Sequence, residues 1–208
     1  MTYIALIDYE MGNLQSVTKA LEYVGAELRT VRTVAEAENA SALVLPGVGN
    51  FGDGIKHLSE KKFLDFIRDW TTHNRPFLGI CLGMQMLLDS SEEAPGVSGL
   101  QIFRGAVRRF PENTLKVPHI GWNTLTLSTS APMFAGLPLA PFFYFVHSYY
   151  VTPENPKLSA ATTDYILPFT SAICHGNVWA TQFHPEKSQE NGLTILRNFV
   201  HMTQNPIS

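Results

Sequence analysis

Three short runs, Ile4-Ala5-Leu6-Ile7, Ala42-Leu43-Val44-Leu45 and Phe77-Leu78-Gly79-Ile80, carry no polar side chain. A strand with one wet face alternates apolar and polar residues, whereas an unbroken run buries both faces, as when helices cover a parallel sheet on each side. Between the runs lie segments of helical spacing: Leu14, Val17, Leu21 and Val24, closed by Gly25, and Phe63, Phe66, Ile67 and Trp70. Strand, helix and strand in succession make βαβ units. The first half is therefore expected to be α/β, with strands at 3–7, 27–31, 42–45 and 76–80 and helices at 13–24, 63–70 and 82–88. Residues 46–54 read as a glycine-rich loop.

After Val107 the texture changes to short β-like runs at 122–127, 142–151, 171–174 and 178–183, separated by Pro, Gly and Asn turns. They read as antiparallel additions to a mainly parallel central sheet flanked by helices, and 193–200 reads as a closing helix. No repeat, low-complexity tract or long linker interrupts the chain, so 1–208 is expected to be one domain.

A net charge of -3 with no long like-charge run gives a polyanion nothing to hold, so no nucleic-acid partner is expected. The first eight residues lack a basic stretch and end on Asp8, and no span of about 20 apolar residues occurs. A cytoplasmic protein without a membrane contact is expected. Only Cys81 and Cys174 are cysteines, in unrelated contexts, which favours free thiols over a disulfide. Neither has a second ligand at metal-binding spacing, so no metal and no cofactor are expected.

Gly79-Ile80-Cys81-Leu82-Gly83 stands where a buried strand meets a helix, and small residues on either side of Cys81 suit a sharp strand-turn-helix elbow. Such a turn exposes a nucleophile and aims the Leu82 amide at a developing oxyanion. The alternative is a small hydrophobe leading into a Met-rich core helix. A base is found in Phe183-His184-Pro185-Glu186: in extended chain, His184 and Glu186 project to one side, so the carboxylate orients the imidazole toward the thiol. The remaining histidines have less telling company; His57, His73 and His201 read as surface residues. Pro46-Gly47-Val48-Gly49 follows the third strand, at the edge where parallel sheets bind ligands, and its glycines let amides turn inward.

Together, Pro46-Gly47-Val48-Gly49, Gly79 to Gln85 and Gln182 to Lys187 resemble the class I, triad-type glutamine amidotransferases. Ile7 to Leu14, Pro118 to Asn123 and Tyr144 to Tyr149 resemble more closely the family of glutaminase subunits of imidazole glycerol phosphate synthase, over essentially the whole chain. The resemblance implies a Cys81, His184 and Glu186 triad that hydrolyses L-glutamine, with Gly47, Val48 and Leu82 serving the oxyanion. It implies glutamine contacts from Gly49, Gln85, Glu93, His147, Ser148 and Tyr149. It also implies a heterodimer with the cyclase subunit, whose fold is a (β/α)8 barrel, through Asn13, Trp122, Asn123, Tyr144 and Lys187.

Several points stay open in the residues. Glu92 competes with Glu93, Gln85 with a plain polar helix position, His147 and Ser148 with a partner contact, and Trp122 with core packing. The rival functions are a glutaminase serving a different acceptor, a cysteine peptidase of related fold, and an inert scaffold protein.

Overall fold

The computed structural model describes residues 3–112, 115–128 and 131–205. The parallel half comprises β1 (Ile4–Ile7), α1 (Leu14–Tyr23), β2 (Leu28–Val31), α2 (Val34–Ala37), β3 (Ala42–Gly47), α3 (Phe51–Glu60), α4 (Phe63–Thr72), β4 (Phe77–Cys81) and the single turn α5 (Leu82–Gln85). The second half adds β5 (Ser90–Ser91), β6 (Gly105–Arg109), β7 (His119–Thr124), β8 (Thr126–Leu127), β9 (Phe142–His147), β10 (Tyr149–Pro153), β11 (Ser159–Tyr165), β12 (Leu167–His175), β13 (Val178–Thr181) and α6 (Gln189–Gln204).

The main sheet runs β2-β1-β3-β4-β13-β12-β10-β6-β5, with β11 and β8 attached beside β12. Pairings from β2 to β13 are parallel, whereas β12 joins β13 and β10 antiparallel. A mainly parallel α/β sheet with antiparallel additions is therefore what forms. Its apolar strands divide their side chains between two cores: Ala5 and Ile7 pack with Phe51, Leu58, Ile67 and Trp70, while Ile4 and Leu6 pack with Val17, Leu21, Ile195 and Phe199. Burial on both faces explains why these strands show no alternation.

Three departures from the sequence expectation bear on function. The 46–54 segment is not all loop, because α3 starts at Phe51: Asn50 Oδ1 accepts from the Gly52 and Asp53 amides at 2.7 and 3.3 Å, and Glu93 Oε2 accepts from the Phe51 amide at 2.8 Å. Two caps offset the poor helix propensity of Gly52 and Gly54. The expected 142–151 strand breaks at Ser148: β9 pairs with β7 in a separate two-stranded sheet, and β10 pairs with β6 in the main one. The expected 82–88 helix stops after one turn, because the Met86 and Leu87 carbonyls turn aside to accept from Leu100 and Ile102 at 2.7 and 2.9 Å. Among the described residues no helix is long and apolar enough to cross a membrane.

Candidate active site

Cys81 closes β4 with φ +55 and ψ -106, a backbone conformation that side-chain-bearing residues rarely adopt and that costs of order 1–3 kcal/mol. The flanking glycines make the turn possible. A Cβ on Gly83 would stand 1.9 Å from the Leu45 carbonyl oxygen, and one on Gly79 2.9 Å from the Gly83 carbonyl oxygen. Both obstacles are backbone and cannot swing aside. Gly83→Ala is expected to lower stability by about 3 kcal/mol, and thermal denaturation should show a Tm lower by roughly 6–12 °C; an unchanged Tm would mean that the elbow is not this tight.

Gly47, last in β3, lies in register with Cys81. A Cβ there would come 2.3 Å from Tyr9 Oη and 2.9 Å from Leu82 Cβ, so glycine lets the Gly47-Val48-Gly49 loop lie directly on the elbow. Tyr9 is fully buried and its hydroxyl makes no hydrogen bond among the described residues. Burial raises its phenol above the ordinary range, and negative charge on Cys81 adds to the rise. Tyr9 belongs to the 7–14 stretch that carries the resemblance, but no spacing rule marks it as a neighbour of Cys81.

His184 Nδ1 and Glu186 Oε1 are 2.8 Å apart, with both side chains 2% exposed. Strand alternation is not what joins them, contrary to expectation. β13 ends at Thr181, and Pro185 starts a 3-10 turn over Pro185–Lys187 that folds Glu186 back under the ring; proline's fixed φ favours that first turn position. Burial opposes a charge on His184, but Cys81 and Glu186 outweigh it and push the imidazole up to about 10. Among the described residues Nε2 has no hydrogen-bond partner within ordinary geometry, and Gln182 Nε2 stands 3.7 Å from Cys81 Sγ. Gln182 is a site residue to which the sequence reading gave no role.

In front of Cys81 lies a cavity of about 340 Å³, at the small end for ligand sites. Its walls include Val48 and Gly49 from the loop, Leu82 and Gln85 from the elbow, Glu93, and His147, Ser148 and Tyr149 from the β9/β10 break. Pro118 and Val146, also on the wall, had no assigned role. A larger cavity, near 780 Å³, lies at the opposite end of β4 and contains no thiol. The two acids separate cleanly: Glu92 pairs outward with Arg108 at 2.8 Å, and the Arg109 amide, with Arg108 second, holds its carboxyl below the usual range, while Glu93 faces the cavity and caps α3.

The sequence profile described as glutamine amidotransferase class-I matches residues 5–203. Over 205 residues the chain is 49% identical to the imidazole glycerol phosphate synthase subunit HisH of Syntrophotalea carbinolica, covering 96% of this chain and 100% of that one. The HisH subunit of Thermosynechococcus vestitus is 50% identical, with 97% of each chain covered. The chain belongs to the HisH family of class-I glutamine amidotransferases.

Solved structures carry the same fold at lower identity. A crystal structure described as a glutamine amidotransferase superposes with a TM-score of 0.76 at 20% identity, covering 96% of this chain and 98% of that one. The structure of PurLQS from Thermotoga maritima gives 0.73 at 17%, covering 97% and 99%.

For a member of the HisH family, the residues matched to a partner surface are the remaining question. Trp122 and Tyr144 are paired across β7 and β9, their rings 6.2 Å apart and edge to face, and Lys187 Nζ sits 5.9 Å from the Tyr144 ring. Trp122 is 46% exposed and Phe142 beside it 54%, so core packing does not account for Trp122. Asn13 is exposed and caps α1 through the Ser16 amide at 3.3 Å, whereas Asn123 turns inward and donates to the Asp164 carbonyl at 3.1 Å. This face lies against His184, whose amide donates to the Tyr144 carbonyl at 3.0 Å, and Ser188 Oγ bridges the Tyr144 amide and the His184 carbonyl.

Proposed function

We propose that the chain is the glutamine-hydrolysing subunit of an imidazole glycerol phosphate synthase, using Cys81 as nucleophile, His184 as base and acid, and Glu186 as orienter. One observation carries the reading: a strained cysteine, a buried His-Glu pair and a cavity lined by Gln85 and Glu93 converge at the carboxyl ends of β3 and β4. The thiol proton passes to His184 Nε2, and sulfur attacks the side-chain carbonyl carbon of glutamine. The oxyanion is held by the Leu82 amide and an amide of the Gly47-Val48 segment. As the tetrahedral adduct collapses, the C–N bond breaks, the departing nitrogen takes the proton from His184, and a γ-glutamyl thioester remains. Water then gives a proton to His184 and attacks the thioester. Glutamate leaves and the cysteine is restored.

Gly49, Glu93, Ser148, Tyr149 and Gln85 supply the polar wall for the amino acid. His147 serves as an apolar ring edge there, because both of its nitrogens are hydrogen-bonded within the protein. Ammonia released at the site is useful only if consumed on the spot, so a cyclase (β/α)8-barrel partner docking on the Trp122, Tyr144, Lys187 and Asn13 face completes the reading, in the cytoplasm where free thiols persist. Glutamate release should be low for the chain alone and rise strongly when a cyclase barrel and its nucleotide ligand are added. A folded chain that stays inactive in that mixture would overturn the assignment.

A further inference from the structure

A buried glutamine side chain has two chemically different ends, and its partners decide which end points where. Gln182 is fully buried, with Nε2 3.7 Å from Cys81 Sγ and Oε1 3.1 Å from Gln85 Nε2. Gln85 Nε2 also reaches the Tyr149 carbonyl oxygen at 3.1 Å. That carbonyl can only accept, so the nitrogen end of Gln85 is fixed there. Its other N–H then meets Gln182 Oε1, which leaves Gln182 no choice but to turn its own N–H groups toward sulfur.

The same carbonyl is fixed from a second direction. His147 Nδ1 donates to Tyr149 O at 2.8 Å, so its Nε2 must accept from His119 Nδ1 at 3.0 Å. His119 Nε2 in turn faces Asn123 Nδ2 at 3.4 Å. Burial pushes His147 down to about 3 and His119 down to about 4, so both rings stay neutral and keep these tautomers at neutral pH.

We propose that Gln182 is a catalytic residue of the glutaminase, its amide N–H donating to the Cys81 sulfur and stabilising the thiolate, and that Gln85 is the positioning residue that holds it in this orientation. When the thiol proton moves to His184, the sulfur keeps its electron pair and accepts the Gln182 N–H with no further proton transfer. Once the C–S bond forms, the charge moves to the carbonyl oxygen and the Gln182 contact weakens. The other titratable groups turned toward Cys81 are His184 with Glu186 behind it, Tyr9 beneath the loop, and His147 and Glu93 across the cavity.

The proposal rests on the glutaminase reading only for its consequences in turnover, and its test needs neither glutamine nor a partner. Alkylation of Cys81 by iodoacetamide is followed by mass spectrometry across pH in the full chain, in a Cys174→Ser background. Gln182→Met keeps the volume and removes the donor. The rate at neutral pH is expected to fall roughly tenfold, the loss of one hydrogen bond to a charged group. At alkaline pH the limiting rate should exceed that of the parent, because a less stabilised thiolate is the better nucleophile. General disruption of the site would lower both rates. If Gln182→Met does not fold, Gln85→Met, which leaves Gln182 opposite the sulfur but unlocks its orientation, should move the profile in the same direction by less. A folded variant with an unchanged profile overturns the donor role and leaves the glutaminase reading standing.

Discussion

Cys81→Gly is expected to abolish glutamine hydrolysis and yet to be more stable than Cys81→Ala. Removing the nucleophile of a catalytic unit lowers turnover by roughly four orders of magnitude or more, and both variants share that loss. Their stabilities separate for a backbone reason. Elsewhere alanine outlasts glycine by roughly 0.5–1 kcal/mol, because glycine has more conformational freedom to lose on folding. At φ +55 the order reverses: alanine keeps a Cβ in a conformation that disfavours it, while glycine is at ease there. A net advantage for glycine of about 1 kcal/mol corresponds to a Tm roughly 2–4 °C higher than that of the alanine variant. Thermal denaturation of both, with glutamate release assayed beside a cyclase barrel, checks the two halves separately. Alanine outlasting glycine would show that the elbow is unstrained, and residual hydrolysis in either variant would remove Cys81 from the mechanism.

The parallel half of the sheet was legible because burial on both faces leaves a signal that local sequence alone can carry. Ile4–Ile7 and Ala42–Leu45 have no polar position for solvent, and a strand is the short element that uses such a run. The elbow was legible for a different reason: Gly79 and Gly83 are needed by backbone contacts to residues a few positions away or on the next strand. What escaped was decided at long range. Helix α3 depends on Glu93 Oε2 reaching the Phe51 amide across 42 positions, and without that cap Gly52 and Gly54 argue for a loop. β11 reads Ser-Ala-Ala-Thr-Thr-Asp-Tyr, a run of small and polar residues, and is a strand because β12 and β8 pair with it.

The site shows the same division. Cys81, His184 and Glu186 announce themselves by local company, although the pair is closed by a turn at Pro185 and not by strand alternation. The cavity walls from β9 and β10 were reached through the resemblance, since nothing local says that the chain breaks at Ser148 and passes between two sheets. Gln182 stayed hidden because its importance lies entirely in what its two ends touch: Gln85, 97 positions away, and Cys81, 101 positions away.

Glu186→Gln is the change that tests whether the buried carboxylate does more than fill space. A carboxylate accepts and cannot donate, so Glu186 Oε1 at 2.8 Å keeps a proton on His184 Nδ1 whether the ring is charged or has given a proton to the leaving nitrogen, and Nε2 is left as the atom that exchanges protons with sulfur and substrate. A glutamine amide can present N–H there instead, favouring the opposite tautomer, in which Nε2 already holds a proton and cannot take another from sulfur. Misassigning the tautomer in a triad costs on the order of 10³–10⁴-fold in turnover. The same substitution has a signature in stability. His184 is held well above its unfolded value of about 6.5, so the stabilisation from its protonated form is complete below that pH and is lost as pH rises toward about 10. The intact chain should therefore lose stability as pH rises through this window. In Glu186→Gln the imidazolium keeps Cys81 but has lost its other buried partner, so the variant should be the less stable of the two near pH 6 and approach the parent as pH rises. Denaturant titrations at a series of pH values and turnover in the assembled enzyme report the two effects independently. Near-normal turnover would reduce Glu186 to a packing residue, and parallel pH curves would show that it does not hold the charge on His184.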